Sequence, residues 1–250
     1  IADQFDWKTA YFVGGGMGLL LLALRVGIYE SGMFTETKQA GIKRGRILDL
    51  FTDADRLKKY IYCICIGLPI WYVIGILIAL SNKFGAINQV EGTIKVGTSI
   101  MFAYIGLSTG DLICGILSQV FRSRKKVVVA YLILSIVLTG VFLYSKELSL
   151  FWFNFLCFLL GAATGYWALF VTIASEQFGT NLRATVTTTV PNFVRGAVVP
   201  ITLGFKSLES SFGSITAAAI VGGICIVLAF ISILNVKETF GKDLNYMEVS

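Results

Sequence analysis

Long apolar runs alternate with short polar gaps along almost the whole chain. Six runs of about 20 residues each lie between Tyr60 and Val236, and a further one, roughly Tyr11 to Ile28, precedes them. A run of that length crosses the hydrocarbon core of a bilayer as an α-helix, the one single-segment structure that satisfies its own backbone N–H and C=O groups in lipid. The pattern therefore predicts an all-α integral membrane protein of seven transmembrane helices, at about 10–28, 60–83, 96–118, 127–145, 149–174, 186–205 and 215–236. The expected organisation is a first span within 1–31, a central loop over 32–59, a six-helix bundle over 60–236 and a tail over 237–250. With an odd number of spans the two termini fall on opposite sides of the membrane.

The polar gaps differ in charge. Lys38, Lys43, Arg44, Arg46, Arg56, Lys58 and Lys59 follow the first span; Arg122, Arg124, Lys125 and Lys126 follow the third; Arg183 follows the fifth; Lys237 and Lys242 lie in the tail. The opposite gaps hold only Lys8, Lys83, Lys95, Lys146 and Lys206. By the positive-inside bias, the central loop and C-terminus are expected in the cytoplasm of a plasma (inner) membrane protein. The net charge of +6 follows from these loops, and with no soluble basic domain there is no nucleic-acid partner to expect.

Composition narrows the chemistry. With 56% hydrophobic and 14% charged residues, 26 glycines and only Pro69, Pro191 and Pro200 as prolines, the chain suits a bilayer. Asp3 and Asp6 ahead of the first run, with no basic leader, argue for a span rather than a secretory signal. The absence of histidine excludes a histidine base, triad or metal ligand. Cys63, Cys65, Cys114, Cys157 and Cys225 all fall inside spans and read as buried thiols, so no metal and no cofactor is expected. Without paired carboxylates or a glycine-rich phosphate loop, an enzyme is not expected either. In the central loop, Ile47, Leu48, Leu50 and Phe51 form an apolar patch that predicts a short interfacial helix, and Asp53 and Asp55 read as caps of the next helix rather than a calcium loop.

The first and last spans end alike, in Arg25-Val26-Gly27-Ile28-Tyr29-Glu30-Ser31 and in Val236-Lys237-Glu238-Thr239-Phe240-Gly241-Lys242-Asp243-Leu244. A repeated ending six spans apart implies two six-helix halves. Glu238 to Lys242 resembles the glutamate-threonine-x-glycine tail of helix twelve in sugar-porter-like members of the major facilitator superfamily. Arg25 to Phe34 resembles the end of helix six in its metabolite:proton symporters. Glu176 to Arg183 resembles the family's glutamate-x6-arginine motif after helix ten. Gly110 to Lys125 resembles the second-half copy of its helix-loop-helix signature, with Gln119 where the family has aspartate and Arg122-Ser123 in place of glycine-arginine. The resemblance implies helices six to twelve of that fold, the five preceding helices of an N-terminal half being a missing partner. It also implies a cytoplasmic gate built from Glu30, Arg122, Arg124, Lys125, Glu176, Arg183 and Glu238, in which Glu176 pairs with Arg183 or with the basic loop after helix eight.

Few polar residues lie within the spans, and each is a candidate. Asp111 is the only carboxylate well inside one, at a cost of roughly 2.5–3.5 kcal/mol on insertion scales. It shares a helix face with Tyr104 and Ser108. It is read either as a protonatable or solute-contacting group, or as a structural partner of an adjacent helix end. Arg195 shares a face with Thr188 and Asn192, in a span expected to be broken by Pro191 and Pro200, and a guanidinium there suits an anion. The resemblance places Trp71, Tyr72, Tyr166 and Trp167 beside these residues around a cavity. Gly14 and Gly18, like Gly161 and Gly165, have the spacing of close helix contacts. The resulting expectation is a secondary transporter of a small polar solute coupled to protons; the rivals are an exporter of drugs or siderophore-like metabolites, and a non-transporting receptor or assembly partner.

Overall fold

The computed structural model describes residues 7–25, 47–242 and 246–247. Glu30, Ser31 and Phe34, the basic stretch from Lys38 to Arg46, and Asp243 and Leu244 lie outside them. The chain forms two units, residues 1–42 and 43–250. In the first, α1 (Trp7–Arg25) is apolar from Tyr11 onward.

The second unit is a bundle. A 3₁₀ turn, Ile47–Leu50, leads into α2, Ala54–Tyr72, which continues into a π-helical turn, Val73–Ile78. Then come α3 (Ser81–Ile87), α4 (Val96–Val120), α5 (Arg124–Tyr144) and α6 (Leu150–Ala163). The bundle is completed by α7 (Trp167–Glu176), α8 (Thr180–Gly196), α9 (Val198–Phe212) and α10 (Ser214–Asn235). Leu50 is fully buried while Leu48 is exposed, so the 3₁₀ turn sits with one apolar face against the bundle.

Among the described residues, five helical stretches are long and apolar enough to cross a membrane: Ala54–Ile78, Val96–Val120, Arg124–Tyr144, Leu150–Glu176 and Ser214–Asn235. α1 contributes a shorter apolar helix, Tyr11–Arg25. The expected span over 186–205 is two helices joined at Ala197, neither long enough alone. The expected span at 60–83 instead begins at Ala54, because the Asp53 side chain accepts from the N–H groups of Asp55 (2.7 Å) and Arg56 (3.2 Å) and starts the helix early. Pro191 does not break α8, which runs through it. The break falls at Ala197, just ahead of Pro200, whose ring cannot donate to the carbonyl four residues back.

Glycine sets the closest approach in the bundle. α4 and α6 make the most extensive helix pair. A Cβ on Gly161 would lie 1.9 Å from the Ala103 carbonyl oxygen, one on Gly106 1.9 Å from that of Phe158, and one on Gly110 2.3 Å from that of Ala162. Only residues without a side chain let two backbones meet so closely, and in lipid that contact supplies the packing that an apolar solvent does not. The core itself falls into two apolar clusters. One surrounds Tyr60, Ile66, Tyr131, Phe170 and Ile233. The other surrounds Phe84, Phe142, Phe153, Phe205 and Ala218.

Candidate functional site

Four elements converge on one cavity of about 270 Å³: α2 with its π turn supplies Ile70, Trp71 and Ile74, α4 supplies Tyr104 and Leu107, α7 supplies Trp167 and α8 supplies Arg195. The change from α to π winding at Val73 falls between Trp71 and Ile74, so an irregular helical turn sits in the cavity wall, as such turns often do at functional sites. Arg195 lies over the Trp167 ring, 5.2 Å from its centroid, and its Nη1 donates to Asn192 Oδ1 at 3.2 Å. It makes no salt bridge among the described residues. Trp71 and Trp167 meet edge to face at 6.3 Å, and the buried Trp71 Nε1 has no acceptor among the described residues.

The expected fifth span of the chain, at 149–174, is broken here. α6 ends at Ala163, where the Thr164 hydroxyl turns back to the carbonyls of Leu160 and Gly161, and α7 restarts at Trp167. The break leaves the first N–H groups of α7 without helical partners. Asp111 answers one: its Oδ1 accepts from the Ala168 N–H at 3.0 Å, placing a carboxylate at the positive end of a half-helix. The neighbouring Gly165 touches the backbone of Gly110 and Asp111, so even a methyl group there would push the two elements apart.

The structure thus gathers Trp71, Tyr104, Trp167 and Arg195 around the cavity, with Asn192 attached to Arg195 and Asp111 beside Trp167. Tyr72 and Tyr166 stand apart from it. Both are fully buried, and their hydroxyls donate to the carbonyls of Ala218 (2.8 Å) and Ile66 (3.1 Å), tying helices together. The Thr188 hydroxyl donates to the carbonyls of Ala184 and Thr185 in its own helix, and Ser108 is exposed.

A second cluster closes one end of the bundle. Glu176, the last residue of α7 and nearly fully buried, takes two bonds from Arg124, at 2.7 Å from both Nε and Nη2. This is the bidentate geometry that suits a guanidinium to a carboxylate. Arg183 turns to the end of α7 instead, donating to the carbonyls of Ser175 and Phe178 at 3.3 Å. Glu238 receives the Ser123 hydroxyl and the N–H groups of Arg124 (3.1 Å) and Lys125 (3.3 Å), so it caps the start of α5. Burial would raise its pKa, but these donors outweigh burial and hold it below the ordinary 4.5. Lys125 Nζ in turn donates to the carbonyls of Leu234 and Val236, closing α10. Arg122 is exposed in a left-handed turn at φ 47°, a conformation that favours glycine.

At the opposite end, Lys83 and Glu209 pair at 2.5 Å, and Ser214 donates to the same carboxylate oxygen at 2.6 Å. Sequence reasoning left out this pair, because nothing local links residues so far apart in the chain. It also left out Ser123, although a serine directly before a helical run is a legible N-cap signal. Its hydroxyl accepts from the Lys126 N–H at 3.2 Å while donating to Glu238.

No curated protein and no solved structure matches the chain. A family model does: residues 1–201 match that of the Major Facilitator Superfamily. With a half-helix at the cavity and a carboxylate–arginine pair closing one end, the match accounts for the architecture, and the chain belongs to the Major Facilitator Superfamily, a family of membrane transporters.

Proposed function

We propose that this protein is a proton-coupled secondary transporter of a small polar metabolite bearing a carboxylate, working by alternating access in the plasma membrane. The central loop and the C-terminus face the cytoplasm in this reading, which rests on the uneven distribution of lysine and arginine.

One observation carries it. α7 is ten residues long, and its two ends take part in the two features a transporter has to couple. Trp167 at its start lines the cavity under Arg195, and Glu176 at its end is held by Arg124. A solute that draws Arg195 away from Trp167 acts on the same short helix whose inner end is latched, and the proton enters at Asp111, the cap of its first turn. Protonation removes the negative charge from the helix N-terminus and weakens that cap, freeing α7 to tilt against α4.

The test is uptake into proteoliposomes from a panel of labelled organic acids, amino acids and sugars, under an imposed proton gradient. Asp111→Asn keeps an oxygen that caps α7 and removes the titratable group, so it is expected to abolish gradient-driven accumulation while leaving solute exchange intact. Accumulation at the wild-type level would remove Asp111 from the mechanism.

A further inference from the structure

Resting on the transporter reading, and deepening it, we infer that the Arg195 cavity selects monocarboxylates with a flat aromatic body, over zwitterions, sugars and small aliphatic acids. The charge pattern comes first. Among the described residues, Arg195 is the one charged residue lining the cavity, and it has no carboxylate partner. Its guanidinium lies over the Trp167 ring, with one Nη1 donor committed to Asn192. The remaining donors of the guanidinium fork form a ready seat for one carboxylate. An ammonium group finds nothing comparable. The nearest in-span carboxylate, Asp111, already accepts from the start of α7 and does not line the cavity, so a zwitterion would leave a desolvated charge without a partner.

The rest of the wall fixes the body of the ligand. Ile70, Ile74 and Leu107 are apolar, and Trp71, Tyr104 and Trp167 are aromatic. A ring laid against the two indoles extends the edge-to-face contact they already make at 6.3 Å. A sugar needs many paired donors and acceptors, and this wall offers few beyond the guanidinium. At about 270 Å³ the space is at the lower limit for small-molecule sites, and so fits one ring with its acid rather than a drug-sized body.

The experiment is calorimetric titration of the purified full chain in lipid nanodiscs with four probes: benzoate, acetate, benzyl alcohol and phenylalanine. These separate ring from charge and a lone carboxylate from a zwitterion. Benzoate is expected to bind at least tenfold more tightly than each of the others. Arg195→Lys should weaken benzoate at least tenfold, and Trp167→Leu should weaken benzoate by a larger factor than acetate. The wild-type ranking needs no variant to fold. No benzoate binding, equal binding of acetate, benzyl alcohol or phenylalanine, or unchanged affinity in Arg195→Lys would overturn the inference. Transport of another solute that benzoate does not inhibit would also overturn it and leave the transporter reading intact. Benzoate binding without flux supports it and counts against the transporter reading alone.

Discussion

Arg124 and Glu176 form the most consequential pair of side chains in the bundle. Glu176 is nearly fully buried, so removing its partner leaves a desolvated carboxylate, a loss of about 3–5 kcal/mol for pairs of this kind. Arg124→Gln is therefore expected to lower the unfolding midpoint in detergent strongly, and Arg124→Gln with Glu176→Gln to recover most of the loss. Equal loss in the double variant would mean the pair is not what holds the two helices together. Glu238 gives a pH-dependent counterpart. Its carboxylate sits below the ordinary 4.5 in the folded protein, so the stability it contributes is complete above that value and disappears as the pH falls through the lowered one. Glu238→Gln should flatten the acid limb of the stability profile below pH 4.5 and leave the neutral limb parallel to wild type. An unchanged acid limb would show that Glu238 is not the group titrating there.

At the scale of elements, the contact between α4 and α6 depends on glycine. Gly161→Ala sets a methyl group 1.9 Å from a backbone oxygen that cannot move aside without shifting a helix. It is expected to cost about 1–3 kcal/mol, the usual range for overpacking, or more. Gly140→Ala is the control, because its Cβ meets nothing within 4 Å, and at this half-buried helix position it should be neutral or stabilising. Equal melting temperatures for the two variants would contradict the packing described. The Gly161 and Gly165 spacing was readable from sequence as a close contact, though not the helix it contacts, because spacing names a face and not a partner. The break at Thr164 to Tyr166 was not readable, since Ala162-Ala163-Thr164-Gly165 contains no proline and continues an apolar run. What ends α6 there is a threonine hydroxyl returning to its own helix and a carboxylate from α4 waiting at the next one.

For the whole molecule, hydropathy alone revealed the class, and four motifs pointed to the family, because spans and basic loops are local signals. Trp71, Tyr104, Trp167 and Arg195 could be grouped only through the resemblance; their meeting depends on tertiary contacts that no periodicity encodes. Tyr72 and Tyr166 show the limit of that grouping: they neighbour cavity residues in sequence but point the other way around their helices, into the core. Glu176 was foreseen with two possible partners, and the chain fold selects Arg124 because the start of α5 lies against the end of α7. Under the proposed mechanism the cavity opens alternately to the two sides of the membrane. The most direct test is the labelling of Tyr104→Cys, a cavity-wall position 46% exposed in the bundle, by a membrane-impermeant maleimide in right-side-out and in inside-out vesicles, with the parent protein as background. Alternating access predicts labelling from both faces, with Glu176→Gln shifting reactivity toward the cytoplasmic face. Labelling from one face only, unchanged by Glu176→Gln, would contradict it.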